Sequence, residues 1–210
     1  MVIDFHTHTF PDAIAPAALE QLSACANVLP HTDGTENALR SSMRENNISY
    51  SVVMPVATRA QQVVNINNNA IAINGKDSLF SFGCMHYEFE EYEKELKRLQ
   101  NAGIKGIKLH HDYQQLYFND PISVNIMQCA MSLGLTVMIH AGNDPVSPDV
   151  HYCTPSMIKE VLPQLRGGRL IASHYGGLMN IEEVERHLIG EDIYIDTSMT
   201  HHYYGFQWWE

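Results

Sequence analysis

Seven short runs rich in β-branched and apolar residues recur along the chain: VIDFHTH (2–8), YSVVMPVA (50–57), LFSFGCMH (79–86), IKGIKLHH (104–111), LTVMIHAG (135–142), RLIASHYG (169–176) and IYIDTS (193–198). Each has the length and residue types of a strand. The segments between them carry helical period and helical punctuation. From Glu88 to Asn101, the residues Phe89, Tyr92, Leu96 and Leu99 form one stripe, with acids early, Lys94, Lys97 and Arg98 late, and Gly103 beyond the end. Pro121 behind Asn119-Asp120, and Pro155 behind Thr154, read as first helical residues after caps. Asn180 opens another helix that Gly190 ends, and the run NINNN (65–69) lies inside a helical pattern. Residues 9–36 read as a long loop with its own helix around Ala17–Ala26.

Strand and helix alternating in this way predict a parallel sheet with helices outside it. No phosphate-binding glycine loop follows the first strand, which weighs against a dinucleotide fold. The pattern predicts an α/β, TIM-like (β/α)8 barrel, a single domain over residues 1–210, with its active site at the C-terminal ends of the strands. Seven strand–helix units are visible, and a barrel of this kind takes roughly 250 residues. The last unit is therefore expected to be missing, with Trp208-Trp209-Glu210 falling in the opening of the seventh barrel helix. Such a remnant should expose two strand edges and raise the odds of a homodimer.

Composition narrows the class. Apolar residues make up 45% and charged residues 18%, an ordinary globular balance. A net charge of −11 with no Lys/Arg cluster argues against a nucleic-acid partner. No apolar run approaches the roughly 18 residues of a membrane span. The first strand starts at Val2, so no signal peptide is expected. Cys25, Cys84, Cys129 and Cys153 are widely spaced and fit neither a zinc ribbon nor a disulfide framework, making the cytoplasm the default location.

The twelve histidines are the departure from the ordinary. His6 and His8 close the first strand, with both side chains on one face, and His86 closes the third. Lys108, His110 and His111 close the fourth, His140 the fifth, His174 the sixth, and Asp196 lies near the end of the seventh. One His-x-His is weak evidence, and a lone strand-end histidine is more often a hydrogen-bonded core residue. Several converging on one barrel mouth form a ligand set for zinc or a similar divalent ion, which would make water nucleophilic at neutral pH. His31, His151, His187, His201 and His202 are expected at the surface.

DFHTH at the start, GIKLHHDYQ (106–114), VMIHAG (137–142) and ASHYGG (172–177) together resemble the amidohydrolase superfamily. More narrowly, they resemble its amidohydrolase-related branch, which includes aminocarboxymuconate-semialdehyde decarboxylase. The resemblance implies that His6, His8 and His140 bind a divalent metal, most often Zn2+, with Mn2+ or Fe2+ as alternatives. It also implies that His174 orients or deprotonates water, or binds a second metal. Lys108 matches a position carboxylated in binuclear relatives, and a substrate-facing or acid-paired lysine is the alternative. His110 is a further metal or substrate candidate. The family's strand-8 Asp has no counterpart here, and Asp196 matches a residue that is mostly structural in relatives. The implied activity is hydrolysis of an amide, ester or lactone of a small molecule. The alternatives are decarboxylation of an unsaturated or aromatic carboxylate, or a non-catalytic metal-binding barrel.

Overall fold

The computed structural model describes residues 1–26, 29–145 and 147–200. All seven sequence runs contain strand: β1 (Ile3–Thr7), β2 (Tyr50–Val53), β3 (Leu79–Ser81) with β4 (Gly83–Cys84), β5 (Gly106–Leu109), β6 (Thr136–Ile139), β7 (Leu170–Ala172) and β8 (Tyr194–Ile195). Every ladder is parallel, in the order β1-β2-β3 and then β4-β5-β6-β7-β8. One residue, Phe82, separates β3 from β4, and its N–H still donates to the Val53 carbonyl at 3.0 Å. The two sheets are thus successive arcs of one curved wall.

The connections are helical: α1 (Ala15–Ala26), α2 (Glu36–Glu45), α3 (Val63–Ile73), α4 (Tyr92–Asn101), α5 (His111–Gln114), α6 (Pro121–Ser132), α7 (Pro155–Val161) and α8 (Ile181–His187). The caps read from sequence are in place. The Asp120 side chain accepts from Ile122 N–H at 3.0 Å and Thr154 from Met157 N–H at 3.3 Å, each followed by proline at the first helical turn.

Strand alternation sorts residues between two cores. Val137 and Ile139 of β6 and Ile107 of β5 point outward into a large cluster with Leu96, Leu99 and Met127 from the helices. Met138 points the other way, joining Val52, Met54 and Phe82 in a small cluster inside the wall. Lys108, between Ile107 and Leu109, shares that inner face and is 1% exposed.

Among the described residues β1 and β8 each pair on one side only, and Phe5 (41% exposed) and Tyr194 (59%) lie open along those edges. Trp208, Trp209 and His201–His202 lie outside the described residues. No helix is long and apolar enough to cross a membrane among the described residues.

Two local expectations are corrected. β5 stops at Leu109, so His110 and His111 do not close a strand. His110 instead caps α5, its ring accepting from Tyr113 N–H at 3.5 Å, while Gln115 in the left-handed region ends the turn (φ 53°). Gln114 anchors this turn by donating to the Ala57 and Met85 carbonyls at 3.0 and 2.8 Å. Likewise β7 stops at Ala172, and His174 occupies a short 3-10 turn with φ 60°.

Candidate metal centre

At the C-terminal rim of the wall, His6 rises from β1 and His8 follows it. The Nε2 atoms of His6 and His8 are 3.1 Å apart. From the far side His140, directly after β6, sets its Nδ1 at 3.1 Å from Nε2 of His174. The two couples meet where the rings of His6 and His174 stack, 5.4 Å between centroids.

Hydrogen bonds on the opposite ring nitrogens fix which atoms carry protons. Asp196, directly after β8, accepts from Nδ1 of His6 at 2.7 Å. Its other oxygen accepts from the His174 backbone N–H at 2.8 Å and from the Ser198 N–H and hydroxyl at 3.1 and 2.7 Å. Nδ1 of His174 donates to the Ser198 carbonyl at 2.9 Å. A carboxylate and a carbonyl only accept, so His6 and His174 both present bare lone pairs at Nε2. Each lone pair faces another imidazole nitrogen at 3.1 Å. Two tetrahedral zinc–nitrogen bonds of 2.0–2.1 Å put ligand nitrogens about 3.3 Å apart. Each couple therefore has the separation of two ligands on one cation. Among the described residues, the donor trios within mutual reach are His6, His174 and Asp196, and His110, His140 and Asp144.

The electrostatics keep these rings neutral. Burial lowers the pKa of His6, and the charge of Lys108 lowers it further against the pull of Asp196. Burial and Lys108 together take His174 down to about 3. Burial alone would raise Asp196, but the bonds from His6, His174 and Ser198 outweigh it and hold the carboxyl well below its usual range. Lys108, lowered to about 8 by burial, donates to the Ser173 hydroxyl at 2.9 Å. Its partner is that hydroxyl, and its ammonium lies within the wall under the histidines.

A second group stands behind His140. Its Nε2 lies 3.6 Å from Oδ2 of Asp144 and 4.0 Å from Oδ2 of Asp112. His110 stacks on His140 with centroids 4.4 Å apart, and Tyr113 stacks on His110 at 3.8 Å. Nε2 of His110 is 3.5 Å from Asp144 Oδ2. The structure thus brings His6, His8, His140, His174 and Asp196 to one rim, puts His110 one ring further back, and places Lys108 beneath. His86 is separate, stacked on Tyr87 and accepting from Glu88 N–H. His111 bonds Ser123 at 2.8 Å and packs against Phe118, away from the rim.

Ser198, Asp112 and Asp144 were not singled out by sequence. Asp112 sits within the HHDYQ motif and Asp144 four residues beyond His140, so spacing from known histidines was the available signal. The loop that carries Asp144 passes close to the β7–α8 turn. A Cβ on Gly142 (φ 92°) would fall 2.0 Å from Leu178 N, so only glycine fits there.

A family model described as Amidohydrolase matches residues 3–210. No curated protein matches the chain. An uncharacterised TIM-barrel protein from Bordetella bronchiseptica superposes with a TM-score of 0.66 at 14% identity, covering 97% of this chain and 76% of that one. A probable 2-pyrone-4,6-dicarboxylic acid hydrolase from Acinetobacter baumannii, with citric acid bound, gives 0.59 at 22% identity over 94% of this chain and 70% of that one. A manganese complex of 5-carboxyvanillate decarboxylase from Novosphingobium aromaticivorans gives 0.62 at 14% identity, over 84% and 65%. At these identities the likeness is one of fold.

Proposed function

The chain belongs to the amidohydrolase family, and on that premise we propose that it is a metal-dependent hydrolase of a small molecule carrying an amide, ester or lactone. The carrying observation is the pair of 3.1 Å contacts between imidazole nitrogens, with the far nitrogens of His6 and His174 already committed as donors. His6 and His8 through Nε2, and His140 through Nδ1, are the ligands in this reading. A divalent ion held there supplies positive charge that polarises a carbonyl and acidifies water. His174 is neutral, with Nδ1 pinned to the Ser198 carbonyl, so its bare Nε2, 3.1 Å from Nδ1 of His140, is the atom that would take a proton from water and return it to the leaving group. Asp196 is spent on orienting His6 and His174, which leaves the proton work to His174. Lys108 holds positive charge beneath the rings and disfavours their protonation.

A second reading is decarboxylation of an aromatic or unsaturated carboxylate, favoured by the shared fold with the manganese-containing decarboxylase. Here the same histidines would hold the ion, whose charge would attract the substrate carboxylate, and His174 would hold the proton in transit. Chelator-treated protein reconstituted with zinc or manganese, then assayed on ester, lactone and amide panels and on hydroxyaryl carboxylates with CO2 detection, separates the two. Hydrolysis that chelation abolishes and metal restores supports the first reading. CO2 release alone transfers the assignment to the second, and turnover indifferent to chelator overturns both.

A further inference from the structure

A buried acidic group lies on the Nε2 side of His140, opposite the nitrogen that faces His174. Nε2 of His140 and Oδ2 of Asp112 have no hydrogen-bond partner among the described residues, although both are buried, and they lie 4.0 Å apart. Oδ2 of Asp144 lies 3.6 Å from the same nitrogen. Asp112 is held in place by the Ser147 hydroxyl, which donates to its other oxygen at 2.5 Å. Asp144 is carried by the loop that Gly142 brings against Leu178.

We propose that Asp112 and Asp144 are positioning residues for the metal ligand His140. Two carboxylates facing Nε2 favour the tautomer with the proton on that nitrogen, because a lone pair there would stand against negative charge in a site shielded from water. The proton on Nε2 leaves Nδ1, the atom on the His174 side, bare for a cation, whereas in the metal-free chain Nδ1–H can instead donate to the bare Nε2 of His174 at 3.1 Å; the carboxylates bias His140 toward the metal-binding tautomer. The stack supplies the other constraint. Tyr113, His110 and His140 lie nearly parallel, with interplanar angles of 12° and 16°, so the plane of the His140 ring is set while the carboxylates set which way round it sits. His110 donates its Nε2–H toward Asp144, because its Nδ1 already accepts from Tyr113 N–H. Asp196 orients His6 through a direct 2.7 Å bond, whereas here the carboxylates stand at 3.6 and 4.0 Å and act on His140 through their charge.

The donors His110, His140 and Asp144 also stand close enough together to hold a cation of their own. The stacked rings argue otherwise. Imidazole lone pairs lie in the ring plane, and two planes 16° apart and stacked face to face do not aim in-plane lone pairs at one ion.

The proposal rests on the metal reading of the rim, and the test separates them. Zinc affinity is measured by chelator competition on full-length wild type, Asp112→Asn, Asp144→Asn and the double variant, together with the thermal midpoint of each metal-free protein. Proton NMR of the zinc forms follows the imidazole N–H of His140. We expect affinity to fall about 10- to 100-fold in the double variant, with the metal-free midpoints close to wild type. The His140 Nε2–H resonance should move upfield once its acceptors become neutral amides. Unchanged affinity with an unmoved resonance overturns the positioning role while leaving the rim site standing. A second bound equivalent that disappears in Asp144→Asn overturns it in favour of a separate cation site. Failure of the wild type to bind zinc removes the premise and this proposal together.

Discussion

The two sides of the histidine rim are held by different means. On the β1–β8 side, direct hydrogen bonds of 2.7–2.9 Å donated to Asp196 and to the Ser198 carbonyl lock His6 and His174 in place. On the β5–β6 side, His140 is clamped by ring stacking, and its outward nitrogen faces carboxylates at 3.6–4.0 Å. The first side closes a seam where no strand ladder joins β1 to β8 among the described residues, so side chains must do the joining. The second lies over continuous sheet and needs no such closure. Where backbone pairing is absent, the site residues also carry the architecture.

The largest effect expected from breaking this comparison is on the metal. Replacing His6 and His8 together by alanine should weaken zinc binding by more than about 100-fold, read by chelator competition. Because His6 is also a seam residue, the metal-free protein should lose stability as well, whereas His140→Ala should cost metal with a smaller stability change.

Acid should act next, and in opposite senses on different groups. His111 and His174 have folded pKa values near 3 against an ordinary value of 6.5, so below pH 6.5 the unfolded chain binds more protons. Stability of the metal-free protein is thus full above 6.5 and falls as pH drops toward 3, by roughly 1.4 kcal/mol per pH unit for each such group. Asp112, raised to about 6 mainly by burial, takes up a proton in the fold between pH 6 and 3.8 and offsets part of this. Urea midpoints measured from pH 7.5 to 4.5 check the sign, and Asp112→Asn should remove the offset and steepen the loss.

Asp196→Asn breaks a charge-assisted bond on the seam and should cost about 2 kcal/mol in chemical denaturation. A cost near zero would mean the seam is held elsewhere. Asp120→Ala, remote from the rim, should cost about 1 kcal/mol through loss of the α6 cap and leave zinc affinity untouched.

Much of this was legible in the sequence because strand runs and caps are local signals. All seven strand runs and the Asp120 and Thr154 caps lie where the pattern places them, and His6 and His140 lie at strand ends, while His174 sits in a turn beyond β7. α2 was not picked out: Glu36, Asn37, Arg40, Ser41, Ser42, Arg44 and Glu45 leave only Ala38, Leu39 and Met43 to mark its apolar side. No Gly or Pro follows Leu109 to mark the turn at His110, whose anchor is the bonding of Gln114 to two distant carbonyls. Ser198, Asp112 and Asp144 carry no local signal, because Ser198 acts on residues 24 and 192 positions away and the two acids on the histidine nitrogens that the fold brings to them. Such partners are fixed by how the strands curve together, which no local window records.

The most direct test of the central claim is anomalous scattering at the zinc or manganese edge from crystals of the metal-loaded protein. The account predicts one peak bonded to Nε2 of His6, Nε2 of His8 and Nδ1 of His140, at about 2.0–2.3 Å. A rim with no peak, or an ion bonded through Nε2 of His140 to Asp112 and Asp144 instead, would contradict it.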